Sequence, residues 1–176
     1  QQVQRLGALA NQRVLLGVTG GIAAYKSPDL VRRLQDAGAE VRVVMTPSAT
    51  RLVAPTVFQA VSGHPVRSEL WDDAAEAAMG HIELARWATT VLIAPATANL
   101  MSQLAAGAAG NLLTTLCLAT SAPVVLAPAM NQAMASTRRC SSSLRGRSGS
   151  AGASTSSASC WRNFSAALRR SSRLAG

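Results

Sequence analysis

The stretch that most constrains this chain is Val14 to Lys26, VLLGVTGGIAAYK, where a run of branched apolar residues breaks at Thr19-Gly20-Gly21 and gives way to alanine-rich sequence. It reads as strand, tight turn, helix. A glycine pair at such a turn lets backbone N–H groups approach an anion, and the helix that follows offers unpaired donors and the positive end of its dipole. The turn is therefore suited to a ligand phosphate. TGG lacks the full G-x-G-x-x-G spacing and the P-loop pattern is absent, so these residues alone are equally consistent with a purely structural turn in an α/β sheet.

The remaining chain extends the same alternation. Residues 1–12 are polar, without a clear period, and read as a lead-in. Ile22 to Ala37 carries apolar Leu30, Val31 and Leu34 opposite Arg32, Arg33, Gln35 and Asp36, which predicts a helix with one buried face. Pro28 marks either a break or a late first turn, and Gly38 suits the C-cap. Glu40 to Thr46, EVRVVMT, alternates as a second strand, and so short a link predicts a right-handed crossover with parallel pairing. Thr46-Pro47-Ser48-Ala49 follows, with Ser48 open to two readings, a helix cap or a ligand contact. Ser62-Gly63-His64-Pro65 is a turn, with His64 in a solvated loop, and the acidic, alanine-rich segment Trp71 to Met79 reads as a surface loop.

His81 to Trp87, HIELARW, has apolar residues at helical intervals. Thr90 to Ala94 forms a fourth apolar run, ending in Pro95-Ala96-Thr97-Ala98-Asn99. Leu100 to Thr120 predicts one long, closely packed helical stretch, and Pro123 to Ala127 a fifth strand ending in Pro128-Ala129-Met130-Asn131. Three strand ends and the glycine turn would line one edge of a parallel sheet, where a pocket is expected.

Charge locates a different region. The net charge of +9 suggests nucleic acid at first sight, yet residues 1–134 hold nine Lys and Arg against all eight acids, while residues 135–176 hold eight Arg and no acid. The basicity belongs to the tail. Cys117, Cys140 and Cys160 form no metal spacing, and their odd number, without a secretory signal, fits reduced thiols in the cytoplasm. Cys117 reads as core. No apolar run reaches membrane-spanning length, and the opening Gln1-Gln2 in place of Met suggests a trimmed N-terminus.

The segments VLLGVTGGIAAYKS, VVMTPSATRLV, HIELARWA, LIAPATANL, NLLTTLCLAT and VVLAPAMNQAM, in this order, resemble the FMN-dependent cysteine decarboxylase family, and within it the phosphopantothenoylcysteine decarboxylases. In bacteria these are commonly the N-terminal half of a bifunctional protein with phosphopantothenate–cysteine ligase. The resemblance covers residues 13–134 and implies a Rossmann-like flavoprotein fold, a parallel sheet with helices on both faces, assembled as trimers with FMN at the subunit boundary. It implies that Thr19, Gly20, Gly21, Ile22, Thr46, Ser48, Thr97, Ala98 and Asn99 lie near the flavin. It matches His81 to the family's active-site histidine and Asn131, beside Met130, to the asparagine that handles the substrate carboxylate. No metal, membrane or nucleic acid is implied.

The implied chemistry explains the residue types. A carboxylate on the carbon bearing an amide nitrogen has no electron sink, whereas oxidation of the neighbouring CH2–SH to a thioaldehyde provides one. An imidazole, with an ordinary pKa of about 6.5, suits a thiol proton. An asparagine amide orients a carboxylate without adding charge that would stabilise the group about to leave. By local sequence alone, His81 is otherwise an exposed helix-start residue and Asn131 a turn residue.

The family pattern PAMNxxMW stops at Met134, since Ala135 replaces Trp. From there the chain holds thirteen Ser, eight Arg and no Asp, Glu, Val or Ile. Such a tail is expected to be disordered. A change of reading frame near residue 135 is one explanation, and the coding DNA should then show an Ala-Cys-Gly segment in another frame. Neither Cys140 nor Cys160 has the Ala-Cys-Gly context of the family's proton donor, and residues 135–176 are not expected to supply the substrate flap, the last strand or the ligase half. Three functions are thus in competition: decarboxylation of 4′-phosphopantothenoylcysteine in coenzyme A synthesis, impaired or not by the C-terminus; the related decarboxylation of a peptide's C-terminal cysteine; and a non-catalytic FMN-binding regulatory subunit. RNA or acidic-surface binding by the Arg/Ser tail is a minor alternative.

Overall fold

The computed structural model describes residues 9–69 and 80–131. The expectations for the lead-in up to residue 8, for the acidic loop and for the tail from residue 135 lie outside the described residues. Strands β1 (Arg13–Val18), β2 (Glu40–Met45), β3 (Thr90–Ala96) and β4 (Val124–Pro128) form one parallel sheet in the order β2-β1-β3-β4. Parallel neighbours require crossovers, and these are the helices. A single 3₁₀ turn (Ile22–Lys26) and α1 (Ser27–Asp36) follow β1. Helices α2 (Pro47–Thr50), α3 (Pro55–Ser62) and α4 (His81–Trp87) lie between β2 and β3, and α5 (Ala98–Ala105) and α6 (Leu112–Ala119) between β3 and β4.

Alternation along β1 assigns the two faces. Val14, Leu16 and Val18 join Leu30, Val31, Leu34 and Phe58 in one core, while Leu15 joins Leu84, Leu100, Leu113 and Leu116 in the other. Helices therefore cover both faces, as parallel sheets require. Gly17 is part of this packing: a Cβ there would stand 2.5 Å from Leu113 Cδ1, so the missing side chain lets α6 sit directly on β1.

Helix ends follow local chemistry. Pro28 occupies the first turn of α1, so the late-first-turn reading holds and Ile22 to Ala37 divides at Ser27. Gly38, at φ 96°, closes that helix with its N–H on Gln35 O (2.8 Å) and Ala39 N–H on Leu34 O (3.0 Å). The single long helix expected over Leu100 to Thr120 is instead α5 and α6. Gly107, at φ 68°, ends α5 in the same way, with Ala108 N–H on Gln103 O at 2.9 Å. Asn111 then starts α6 through a capping box with Thr114. Ser48 lies inside α2, whose N-cap is Thr46, so its capping role is not realised.

The segment expected as the fifth strand is β4, the fourth strand among the described residues. An isolated parallel bridge between Val44 and Arg67 extends the sheet beyond β2. His64 stands in the turn after α3, its Nε2 3.7 Å from Glu40 Oε1, in keeping with a structural role. Among the described residues no helix is long and apolar enough to cross a membrane.

Candidate functional site

The chain leaves β1 toward β2 on one side and returns to β3 on the other, so the connections at the carboxyl ends of β1 and β3 diverge. Ligand crevices form at such switch points. Here the loops after β1, β2 and β3 touch. A Cβ built on Gly20 would lie 2.3 Å from Ser48 Cβ, and one on Gly21 would lie 3.3 Å from Pro95 Cγ and 3.5 Å from Thr97 Cγ2. The glycine pair thus serves close approach between loops, since neither residue has the positive φ that would demand glycine.

Hydrogen bonds fix this arrangement. Gly21 N–H donates to Thr19 O (2.8 Å) and Ala24 N–H to Gly21 O (2.8 Å), which shapes the turn. The N–H groups of Ile22 and Ala23, at the start of the 3₁₀ turn, have no acceptor within it. Thr46 N–H donates to Val18 O (3.0 Å), tying the second loop to β1. Thr19 Oγ1 donates to Pro95 O, and Ser27 Oγ donates to Ala94 O at 2.9 Å. Ala129 N–H donates to Ala96 O (3.2 Å), bringing the fourth loop alongside.

Thr19, Gly20, Gly21, Ser48 and Thr97, all expected near a ligand, therefore converge with Pro95. Thr19 is buried with its hydroxyl proton engaged, so toward a ligand it offers only an acceptor lone pair. Thr97 is the N-cap of α5 and accepts from Leu100 N–H at 3.3 Å. Ala98 is half-buried and Asn99 exposed on the first turn of that helix, and Thr46 is buried. Ile22 projects outward at 86% exposure.

His81 opens α4 and is half-buried. The other end of that helix reaches the amino edge of the sheet, where Thr89 N–H donates to Arg13 O (2.9 Å). Six residues of helix raise His81 by about 9 Å from Trp87 toward the carboxyl edge. Met130 packs against the second core, and Asn131 is exposed. Ser27 and Pro95 are the participants the sequence reading missed. Ser27 had a signal, because it falls in register with Leu30, Val31 and Leu34 on the buried face of α1, where a polar side chain needs a partner.

Among the described residues where these loops meet, no side chain is charged, and the nearest described cations along the chain from the glycine turn and Ser48 are exposed Lys26 and Arg51. Among the described residues no cluster of His, Cys, Asp or Glu is built to hold a metal ion. The fit to an FMN is nevertheless specific in kind: close-approaching backbone at Gly20 and Gly21, an exposed Ser48 hydroxyl and a helix start at Thr97 suit a phosphate and a flat ring better than a metal.

Comparison with known proteins gives the chain's family. The chain is 60% identical over 127 residues to the coenzyme A biosynthesis bifunctional protein CoaBC of Escherichia coli, across 72% of this chain but only 31% of the length of that protein. Among solved structures, it is similar to the FMN-dependent cysteine decarboxylase SpaF, with 36% identity, TM-score 0.70 and coverage of 77% of this chain and 78% of that one. A cysteine-to-serine mutant of PPC decarboxylase, complexed with pantothenoylaminoethenethiol, matches at 33% identity and TM-score 0.63, over 76% of this chain and 75% of its own. The Flavoprotein family profile aligns with residues 3–142, taking in all four strands and the loops that meet at the switch point, and the chain belongs to that family.

Proposed function

We propose that this domain, residues 13–134, binds FMN in the switch-point crevice and decarboxylates 4′-phosphopantothenoylcysteine to 4′-phosphopantetheine in cytoplasmic coenzyme A synthesis. The observation that carries the reading is the convergence of Gly20 with Ser48 and of Gly21 with Thr97 at the one sheet edge where a nucleotide-like ligand belongs. The likeness to CoaBC and to the PPC decarboxylase supports the choice of substrate.

The backbone of Gly20, Gly21 and Ile22 would hold the cofactor together with Thr46, Ser48, Thr97, Ala98 and Asn99, and Thr19 would shape the turn from beneath. Bound there, FMN supplies a two-electron oxidation of the substrate's CH2–SH, which gives the departing carboxylate its electron sink, and the reverse reduction afterwards. His81 takes the thiol proton on an imidazole nitrogen. Asn131, with Met130 beside it, orients the carboxylate through a neutral amide, so the charge that must disappear is stabilised less in the ground state than it would be by a cation. The domain assembles as homotrimers with the crevice at the subunit boundary. Ile22 and Tyr25, 86% and 64% exposed beside the glycine turn, support a covered surface there.

The departure from PAMNxxMW at Ala135 favours a second reading, an FMN-binding subunit that cannot complete the cycle. One experiment separates the two. The purified protein is loaded with FMN, given substrate, and assayed for CO2 and for the thiol product. Saturated aminoethanethiol product supports the enzyme, CO2 with a stalled enethiol supports loss of the final reduction, and a flavin-loaded protein that releases no CO2 supports the binding subunit.

A further inference from the structure

The regular ladder stops short of the crevice. Pairing of β1 with β3 ends at Gly17 and Ile93, and the register between β3 and β4 shifts between Ile93 and Ala96. Pro95, inside that irregularity, has no N–H to offer. Two side-chain hydroxyls take over from the ladder: Ser27 Oγ donates to Ala94 O at 2.9 Å across 67 residues of chain, and Thr19 Oγ1 donates to Pro95 O. Ser27 and Thr19 are 3% and 2% exposed, so both bonds are shielded from bulk solvent.

We propose that Ser27 is a positioning residue for the FMN site, its buried hydrogen bond to Ala94 O setting the distance between the end of β3, with Thr97 after it, and the Gly20–Gly21 turn. The inference rests on assigning this crevice to FMN. Ser27 is the first residue of α1 and follows the 3₁₀ turn that begins at Ile22, so it moves with the glycine turn. Ala94 lies three residues before Thr97, whose methyl group stands 3.5 Å from the Cβ position of Gly21. Without the Ser27 donor, Ala94 O loses a buried partner, the end of β3 relaxes, and the width of the crevice changes. Thr19 holds the neighbouring carbonyl, so the two hydroxyls act on one strand end and their effects should not add.

The test is Ser27→Ala in the full chain, with FMN affinity read by quenching of flavin fluorescence and with amide resonances recorded in the ligand-free protein. FMN affinity is expected to fall about tenfold, the equivalent of one buried hydrogen bond. The amide signals of Gly21, Thr97 and Asn99 should shift. Ser27→Cys, which keeps the side-chain shape with a slightly larger atom and weakens the donor, should give an intermediate loss and covers the case in which the alanine variant fails to fold. Leu34→Ala, in the same helix, should lower stability yet leave FMN affinity within about twofold, which separates positioning from general destabilisation. Unmoved resonances, or an unchanged affinity with wild-type protein that binds FMN, overturn the proposal. A wild-type protein that takes up no FMN while Ser27→Ala still moves those resonances overturns the functional assignment and upholds the positioning role.

Discussion

Replacing Gly20 by alanine puts the contact between the first two loops under direct strain. The added Cβ would stand 2.3 Å from Ser48 Cβ, 3.2 Å from its carbonyl carbon and 3.3 Å from its Cα. Carbon atoms rest at about 3.5–4.0 Å, so the shortest contact falls short by more than ~1 Å. Ser48 Cβ is anchored to backbone and cannot swing aside as the end of a long side chain would. The loops must part by roughly that ångström, and overpacking of this kind costs about 1–3 kcal/mol. In a domain of this size the melting temperature should fall by roughly 3–10 °C. Separation of Gly20 from Ser48 should also weaken FMN binding by more than about tenfold. Scanning calorimetry and an FMN titration measure the two effects. Gly110→Ala is the control, because a Cβ there meets nothing within 4 Å and the residue lacks a positive φ. It should leave both quantities nearly unchanged. A Gly20→Ala protein with wild-type melting temperature and FMN affinity would refute the contact on which the site is built.

Three further outcomes follow from single side chains. Phe58, on α3 and fully buried in the core with α1 and the sheet, should cost about 3–5 kcal/mol on replacement by alanine in urea unfolding. Asn111→Ala removes the capping box of α6 and the bond from Nδ2 to Gln103 Oε1 (3.2 Å), and should lower stability by about 0.5–2 kcal/mol while FMN affinity stays intact. His81→Gln should slow CO2 release by about 100-fold or more without altering the visible spectrum of bound flavin, as measured by single-turnover kinetics.

Much of this fold is legible locally. The branched runs at Val14, Val41 and Val91 become parallel strands because each is apolar enough to be buried, the run at Val124 joins them as a half-buried strand at the end of the order, and the Leu30, Val31, Leu34 stripe declares one face of α1. The break between α5 and α6 is harder to read, since alanine and leucine on both sides favour helix and the division rests on two short-range devices, the left-handed turn at Gly107 and the capping box at Asn111. Ser48 shows the same limit on a smaller scale: Pro47 shifts the helix start one residue back, so Thr46 becomes the N-cap. At the site, the glycine turn and the strand ends carry local signatures. For Ser27 the buried-face register says that a partner is needed but not which one, and Thr19 carries no such signal, because the acceptors are 67 and 76 residues away and are created by the irregular end of β3.

The most direct measurement is an amide-resonance titration of the purified protein with FMN. Saturable shifts at Gly20, Gly21, Thr97, Ala98 and Asn99, together with a yellow protein after dialysis, are the expected result. A folded protein that stays colourless, or shifts confined to residues away from these loops, would contradict a flavin at the switch point.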